Sequence, residues 1–149
     1  MIKDAIQKAV NENLKKGNVV AVKVLRFVMS EIKYAEIAKK KEITDEEVIS
    51  LLRKETKKRK EAVDLFKKAG RNDLVDDESK QLEIIGNYLP EEMSDGELES
   101  IIDEVLLVSS NRSNIGRLIG MVMSKLKGRI EGSKVADIVK KKISTSPSV

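Results

Sequence analysis

The sequence predicts an all-α protein: an N-terminal up-and-down four-helix bundle followed by a smaller three-helix C-terminal subdomain. Three observations predict this fold class. Apolar residues recur at spacings of three and four along most of the chain, which is the period of a helix with one buried face. Aromatic residues make up only 3% and charged residues 36% of the 149 residues, a balance typical of helical proteins. Alternating segments joined by glycine turns are missing, so no strand is predicted.

The first two helices form a predicted hairpin. Isoleucine, valine and leucine repeat every four residues from Ile2 to Leu14, and Gly17 is suited to end that helix. Asn18 can then cap a second helix over about residues 19–39, the most apolar of the chain. We therefore expect the second helix to lie in the middle of the bundle.

The third helix has the clearest start. Thr44 as N-cap with Glu47 three residues later makes a capping box, and Ile43 can pack onto Val48 as a hydrophobic staple. Its apolar stripe is interrupted by Glu55 and Arg59. An ion pair between residues four apart on one helix explains the interruption, and a functional polar cluster is the alternative. The surrounding cations form a basic collar of Arg53, Lys54, Lys57, Lys58, Arg59 and Lys60.

The fourth helix and the domain boundary follow. Gly70 is suited to the left-handed position that stops the third helix, and Asp73 can cap a fourth helix that runs through Asn87. Short connections favour antiparallel neighbours. Because Pro90 disfavours helix at the residue before it, the predicted domains are 1–90 and 91–149.

Three short helices are predicted beyond that boundary. Ser94 and Glu97 form another capping box at the start of the first. Gly128 closes the second, and Ser133 caps the third. Residues 144–149 are predicted to be a loose tail.

Composition limits the chemistry that the chain can perform. It contains no cysteine and no histidine, which removes thiol and imidazole nucleophiles, imidazole acid–base work and thiolate zinc sites. We predict no catalytic residue, no cofactor and no metal. No apolar run approaches the length of a membrane span and no secretory signal is present, so a soluble cytoplasmic protein without membrane contact is expected.

Charge is distributed in three blocks along the sequence. Residues 1–72 carry 19 basic and 11 acidic groups, residues 73–104 carry 1 and 12, and residues 105–149 carry 9 and 2, giving +8, −11 and +7. Basic blocks offer contacts to phosphates, while the acidic block would restrict where a nucleic acid lies. Alternatively, the acidic fourth helix packs beside the basic third helix and their charges largely cancel.

The sharpest local candidate site is the sequence KLKGRIEG, at residues 125–132, between two short helices. Cations and backbone amides of such a turn can bind a phosphate. The alternative is that its glycines only shape the turn and its lysines are solvated. The predicted nucleic-acid-binding residues are Lys125, Lys127, Gly128, Arg129, Gly132 and Lys134.

Four segments together resemble the GatB/YqeY family in its free-standing YqeY-like form. They are LRFVMSEIKYAEI, AGRNDLV, NYLPEEMS and KLKGRIEG. The resemblance covers nearly the whole chain and implies an N-terminal bundle with a smaller helical domain. It also implies kinship with the tail of the B subunit of glutamine-dependent aminoacyl-tRNA amidotransferase, where the small domain engages tRNA. Carbon–nitrogen ligase activity with glutamine as amido donor is associated with the family. The chain departs from the family pattern at residues 129–132 and at Asn114, Ile115 and Gly116.

Two hypotheses of different classes follow. The preferred one is a non-catalytic accessory module that binds tRNA or other structured RNA through the turn cations. The alternative is a protein-interaction module, without RNA contact, that docks on amidotransferase subunits, a tRNA-related enzyme or another partner. Its docking site would be an apolar groove between the subdomains, for which Met121, Val122 and Met123 are the candidate lining residues. A true amidase or ligase is the least supported, because neither an activated nucleophile nor a phosphate-binding loop is visible.

Overall fold

The computed structural model describes residues 1–110 and 112–145, and these residues form seven α-helices and no strand. The helices are α1 (Ile2–Lys16), α2 (Val19–Lys39), α3 (Asp45–Lys68), α4 (Asn72–Gly86), α5 (Asp95–Val108), α6 (Ile115–Leu126) and α7 (Gly132–Thr145). They divide into two compact units, Met1–Leu89 and Pro90–Val149. The predicted all-α class is confirmed. The division into domains 1–90 and 91–149 stays a prediction.

The first unit is built from two helix pairs, α1 with α2 and α3 with α4, and α2 also packs on α4. Its core includes Ile6, Leu25, Ile32, Leu52 and Ile85, each at most 1% exposed. Burying such side chains supplies the main stabilising free energy of the unit. Helical periodicity therefore identified the buried faces correctly.

Local signals set the helix ends of this unit as predicted. Gly17 has φ 69° and ends α1, and the Asn18 side chain accepts a hydrogen bond from the Ala21 amide at the start of α2. At the start of α3, Thr44 Oγ1 accepts from the Glu47 amide at 3.2 Å while Glu47 Oε2 accepts from the Thr44 amide at 2.9 Å. This capping box satisfies two amides that the first helical turn leaves without partners.

Two helix starts differ from the prediction. α4 begins at Asn72, so Asp73 lies inside the first turn and is not the cap. Its carboxylate instead pairs with the Arg71 guanidinium, at 3.2 and 3.1 Å, and interacts with the positive end of the helix. Similarly, α7 begins at Gly132, so Ser133 lies within the helix. Of the predicted loose tail, 144 and 145 belong to α7, and residues 146–149 lie outside the described residues.

A polar cluster lies inside the first unit and is centred on Arg59. The Arg59 Nε atom lies 2.8 Å from Glu55 Oε1, which confirms the predicted ion pair, and each side chain is 11% exposed. Across the helix interface, Arg59 Nη1 donates to Glu78 Oε2 at 3.1 Å and to Gln81 Oε1 at 2.6 Å. The guanidinium also lies 5.4 Å from the centre of the Phe27 ring. Arg59 therefore joins α2, α3 and α4.

The second unit is a three-helix arrangement in which α5, α6 and α7 all contact one another. Ser94 and Glu97 form the predicted capping box at the start of α5. Met93, which precedes the cap Ser94, and Leu98 in the first turns of α5 belong to the unit's core, at 7% and 0% exposure. No helix formed by residues 1–110 and 112–145 is long and apolar enough to cross a bilayer.

We predict that Arg59→Met destabilises the protein by about 3–5 kcal/mol, because it leaves the buried Glu55 carboxylate without its counter-charge. The double variant Glu55→Leu/Arg59→Met should lose much less, since neither charge remains. Urea unfolding at neutral pH measures both. Arg71→Met, which removes an exposed pair, is the control and should leave the urea midpoint close to that of wild type. An equal loss in the single and double variants would contradict the cluster's role.

We predict a pH-dependent contribution from Glu47. Hydrogen bonds from the Lys39 ammonium and from the Thr44 amide lower the pKa of this carboxyl from 4.5 to about 2. A lowered pKa means that the stabilisation is complete above pH 4.5 and is lost as the pH falls toward 2. Urea unfolding from pH 7 to pH 2 should therefore show a gap between wild type and Glu47→Gln that closes in that window. A gap independent of pH would contradict the assignment.

Candidate nucleic-acid interface

The predicted site is the turn that connects α6 to α7. α6 ends at Leu126, and the next two residues, Lys127 and Gly128, have left-handed φ angles of 49° and 77°. The Arg129 amide donates to the Leu126 carbonyl at 3.0 Å, so this amide closes the turn. The Arg129 amide is thus not a free donor for a phosphate. The side chains of the turn supply further donors.

Arg129 holds the turn against the segment that precedes α5. Its Nε atom donates to the Glu91 carbonyl at 3.2 Å, and its own carbonyl accepts from the Met93 amide at 3.4 Å. One terminal nitrogen, Nη2, lies 3.7 Å from Glu97 Oε2. The side chain remains 36% exposed. Arg129 therefore has a structural function, and part of its guanidinium still faces solvent.

The two flanking lysines face carboxylates of α5. Lys134 Nζ lies 2.6 Å from Asp95 Oδ1, and this hydrogen bond raises the pKa of the lysine. Lys125 Nζ lies 3.5 Å from Glu104 Oε2. Asp95 and Glu104 are nine residues apart on a helix, about 13 Å. The structure thus brings Arg129 and Lys134 to the same end of α5 and places Lys125 along the helix toward its other end.

Lys127 differs from the other three cations of the turn. Its residue is exposed, and it has no acidic partner within 4 Å in the part of the chain that the structure describes. It occupies the left-handed position that ends α6, directly before Gly128. Lys127 is accordingly the cation of the turn that is most open to an anionic ligand.

The carboxylates of α5 are the feature that reasoning along the sequence missed. Residues 90–149 carry nine basic and nine acidic side chains, a net charge of zero, whereas residues 1–89 carry 20 and 16, a net charge of +4. The +7 block predicted from residues 105–149 therefore shares its unit with seven acidic residues between 91 and 104. The signal was present in the sequence, because the acidic block extends beyond Pro90 into the second unit.

The two predicted glycines have different roles. Gly128 adopts φ 77°, a conformation that other residues rarely take. Gly132 has no such requirement, and a Cβ atom there would lie 3.6 Å from Met123 Cε, which is ordinary contact. Only Gly128 is demanded by the backbone of the turn.

Two further sequence interpretations can be compared with the structure. Val122 is 1% exposed, and Met121 and Met123 pack against the same core, so these residues fill the second unit. The interpretation that they line a docking groove stays a prediction, since Met121 and Met123 are only partly buried whereas Val122 is enclosed in the core. Asn114 has a definite local function, since its side chain caps α6 by accepting from the Arg117 amide at 3.0 Å.

Comparison with known proteins identifies the family of this chain. The model of Yqey-like proteins matches residues 3–143. This chain belongs to the YqeY family. YqeY-like domains are related to the C-terminal tail of the amidotransferase B subunit. A YqeY-family assignment agrees with the resemblance inferred from the sequence.

Two relatives of this YqeY-family chain come from fungi. One is an uncharacterised protein of Schizosaccharomyces pombe, 36% identical over 89 residues that cover 60% of this chain and 72% of that protein. The other is "Altered inheritance of mitochondria protein 41, mitochondrial" of Pyrenophora tritici-repentis, 31% identical over 143 residues that cover 93% of this chain and 76% of that protein. The likeness therefore extends through both units of the chain.

We predict that Gly128→Ala destabilises the protein by roughly 1 kcal/mol, because alanine pays a steric cost in the left-handed region. Gly132→Ala should be neutral or slightly stabilising, since it adds a methyl group without a clash and restricts the unfolded chain. Thermal unfolding of both variants checks this. Equal destabilisation of the two would contradict the distinction drawn between the two glycines.

Proposed function

We propose that this YqeY-family protein is a non-catalytic accessory module that binds the phosphate backbone of structured RNA, with tRNA as the expected ligand class. The observation that carries the proposal is the set of cations at one turn, Lys127, Arg129 and Lys134. Lys127 has no acidic partner in the described part of the chain, and the partners of the other two are exposed carboxylates. The family's relation to the amidotransferase B-subunit tail supports the RNA class.

Exchange of counter-ions makes this binding possible. The side chains of Glu97 and Asp95 are 57% and 77% exposed, and an ion pair exposed to water contributes about 0–1 kcal/mol. A phosphate that approaches the turn therefore displaces little stabilisation when it replaces either carboxylate. It can also form two parallel hydrogen bonds with a guanidinium, which a carboxylate at 3.7 Å does not do here.

The mode of recognition is limited by composition. Residues 90–149 contain no Phe, Tyr or Trp, so the second unit has no aromatic ring on which an unpaired base could stack. Contacts from lysine and arginine to phosphates carry no base information by themselves. We therefore expect shape-dependent binding of folded RNA, with affinity that falls as salt concentration rises.

The proposal assigns no bond-making step to this chain. With no cysteine or histidine in the sequence, carbon–nitrogen ligase chemistry with glutamine as amido donor would belong to amidotransferase subunits with which the module associates. A cytoplasmic location is part of the proposal. The name of the Pyrenophora relative places that protein in mitochondria, so the compartment of this chain needs its own measurement.

A second candidate function is docking on a partner protein, such as an amidotransferase, without RNA contact. Leu107 and Val108, at the carboxyl end of α5, are 83% and 73% exposed, and adjacent exposed aliphatic side chains favour association with another protein. Loss of a partner from a nuclease-treated pull-down on Leu107→Ser/Val108→Ser would support this function. Retention of the partner by that variant would contradict it.

We predict that the triple variant Lys127→Gln/Arg129→Gln/Lys134→Gln binds unfractionated tRNA roughly tenfold more weakly than wild type at low salt, with a shallower salt dependence. The affinity and its salt dependence are measured by titrations monitored by fluorescence anisotropy. The salt concentration is varied from roughly 50 to 200 mM, the range over which phosphate contacts weaken. The double variant Asp95→Asn/Glu97→Gln should instead bind tRNA more tightly than wild type does, because it removes the carboxylates that compete with phosphate for the turn cations. Gln at residue 97 can still complete the capping box.

The control for this experiment is Arg117→Gln/Lys140→Gln/Lys141→Gln. It removes the same charge from exposed positions of α6 and α7 that have no acidic partner among the described residues. It should weaken binding less than the turn variant does. Equal affinities of the turn and control variants would reject the site, and an absence of tRNA binding by wild type at low salt would reject the function.

A further inference from the structure

We propose that residues 53–60 of α3 form a second phosphate-binding face, which we call the collar face, and that it contacts the backbone of an RNA helix. The face lies in the first unit and shares no residue with the α6–α7 turn. The inference depends on the proposed function for the class of its ligand. It is carried by different residues and is tested separately.

The collar face is produced by the inward turn of one ion pair. Residues 53–60 contain six basic side chains and a single acidic one, Glu55. That acid and Arg59 pair inside the bundle, where each is 11% exposed. The basic side chains that remain on the outside of these two turns are Arg53, Lys54, Lys57, Lys58 and Lys60. The exterior of this segment is thus cationic without a carboxylate of its own.

The spacing of these residues crowds like charges. Lys54 and Lys58 are four residues apart on one helix, and Lys57 and Lys60 are three apart, so their Cβ atoms lie about 5–6 Å from each other. Lys54, Lys58 and Lys60 have no acidic partner within 4 Å among the residues described.

In the second unit, by contrast, two lysines and one arginine lie close to carboxylates. Lys125 and Lys134 face α5 carboxylates at 3.5 and 2.6 Å, and Arg129 lies 3.7 Å from a third. Three lysines of the collar face, at positions 54, 58 and 60, therefore lack the kind of counter-ion that the second unit provides for Lys125, Arg129 and Lys134.

The charge of the whole chain and the size of the face fit a polyanion. The first unit holds the entire excess charge of +4. From 53 to 60 the helix rises about 10 Å, and a nucleic-acid duplex carries about one negative charge per 1.7 Å of its axis. Roughly six phosphate charges thus span the length of the face. Lys54 and Lys58 lie on one flank of the exposed half of α3, so an RNA helix that lies along that flank can supply counter-ions to both, and Lys60 lies on the opposite flank.

The composition of the face distinguishes RNA from an anionic membrane. The sequence RKETKKRK contains no apolar residue, and a helix that lies on a membrane needs an apolar face to insert between the lipids. It also contains no aromatic residue on which a base could stack. The geometry therefore favours contacts to the phosphates of a folded RNA.

The test is the triple variant Lys54→Gln/Lys58→Gln/Lys60→Gln, titrated with unfractionated tRNA at several salt concentrations. We expect affinity to fall roughly tenfold at low salt and the slope of log affinity against log salt to become shallower by about 0.7–0.9 for each phosphate that a lysine no longer neutralises. The thermal midpoint should stay equal to that of wild type or rise, because the substitutions relieve repulsion between like charges. A structural role for these lysines would lower it.

The matched control is Lys15→Gln/Lys16→Gln/Lys33→Gln, which removes three exposed charges of the same unit from α1 and α2. If the collar variant and the control variant bind tRNA with equal affinity, the collar face is not an RNA-binding surface. If the turn variant of the preceding section loses affinity and the collar variant does not, the proposed function stands and this inference falls. If only the collar variant loses affinity, the face stands without the turn. If wild type binds vesicles of anionic phospholipid as tightly as it binds tRNA, and the collar variant does not bind them, RNA is rejected as the ligand of the face.

Discussion

The buried contact of Arg59 with Glu55 is the interaction on which the first unit depends. A guanidinium at this position would be costly to bury alone, and it is stable there because Glu55 supplies a counter-charge while Glu78 and Gln81 accept hydrogen bonds from Nη1. Since these partners come from two helices and the Phe27 ring from a third, one side chain fixes the register of α2, α3 and α4. The same contact turns Glu55 inward and leaves the outside of residues 53–60 basic, while the exposed carboxylates Glu61 and Asp64 follow on the same helix.

The ion pairs of the second unit differ from the Arg59 cluster because they lie near the surface. Lys125, Arg129, Lys134 and Lys142 remain near the surface, and α5 supplies carboxylates that lie between 2.6 and 3.7 Å from their nitrogen atoms. Exposed pairs of this kind add little to stability, so the unit is held together mainly by the apolar core of α5, α6 and α7. Consequently, the two units differ in what an approaching anion meets. One presents a helical segment whose single acid is turned inward, and the other presents cations that already have weak partners.

Much of the fold could be predicted because its signals are local. The caps at Asn18, Thr44 and Ser94 depend on residues three positions away, and the apolar stripes depend on residues three and four apart. The starts at Asp73 and Ser133 were misplaced because each helix begins at a residue that precedes a plausible cap. Such local competition is decided by small free-energy differences, which the residue types alone do not reveal.

The candidate site was less predictable, because its electrostatics depend on contacts that are distant in sequence. The extension of the Arg59 cluster to α4 joins residues 19 and 22 positions apart, and the pair of Lys134 with Asp95 joins residues 39 apart. Charge counted in blocks along the chain assigned the α5 carboxylates to a separate acidic segment. Charge counted by unit places them beside the turn. The candidate residues were therefore chosen from sequence, while their ion-pair partners required the structure.

Glu97 shows how one residue can make a surface contact reversible. Its carboxylate accepts hydrogen bonds from the Ser94 amide and hydroxyl, which lower its pKa, and it also lies near the Arg129 guanidinium. If Arg129 leaves for another anion, the carboxylate still has its donors at the helix start, and no buried charge is stranded. The arginine can thus change partners while the backbone around it stays where it is, so the departure and return of a ligand require no refolding of the turn.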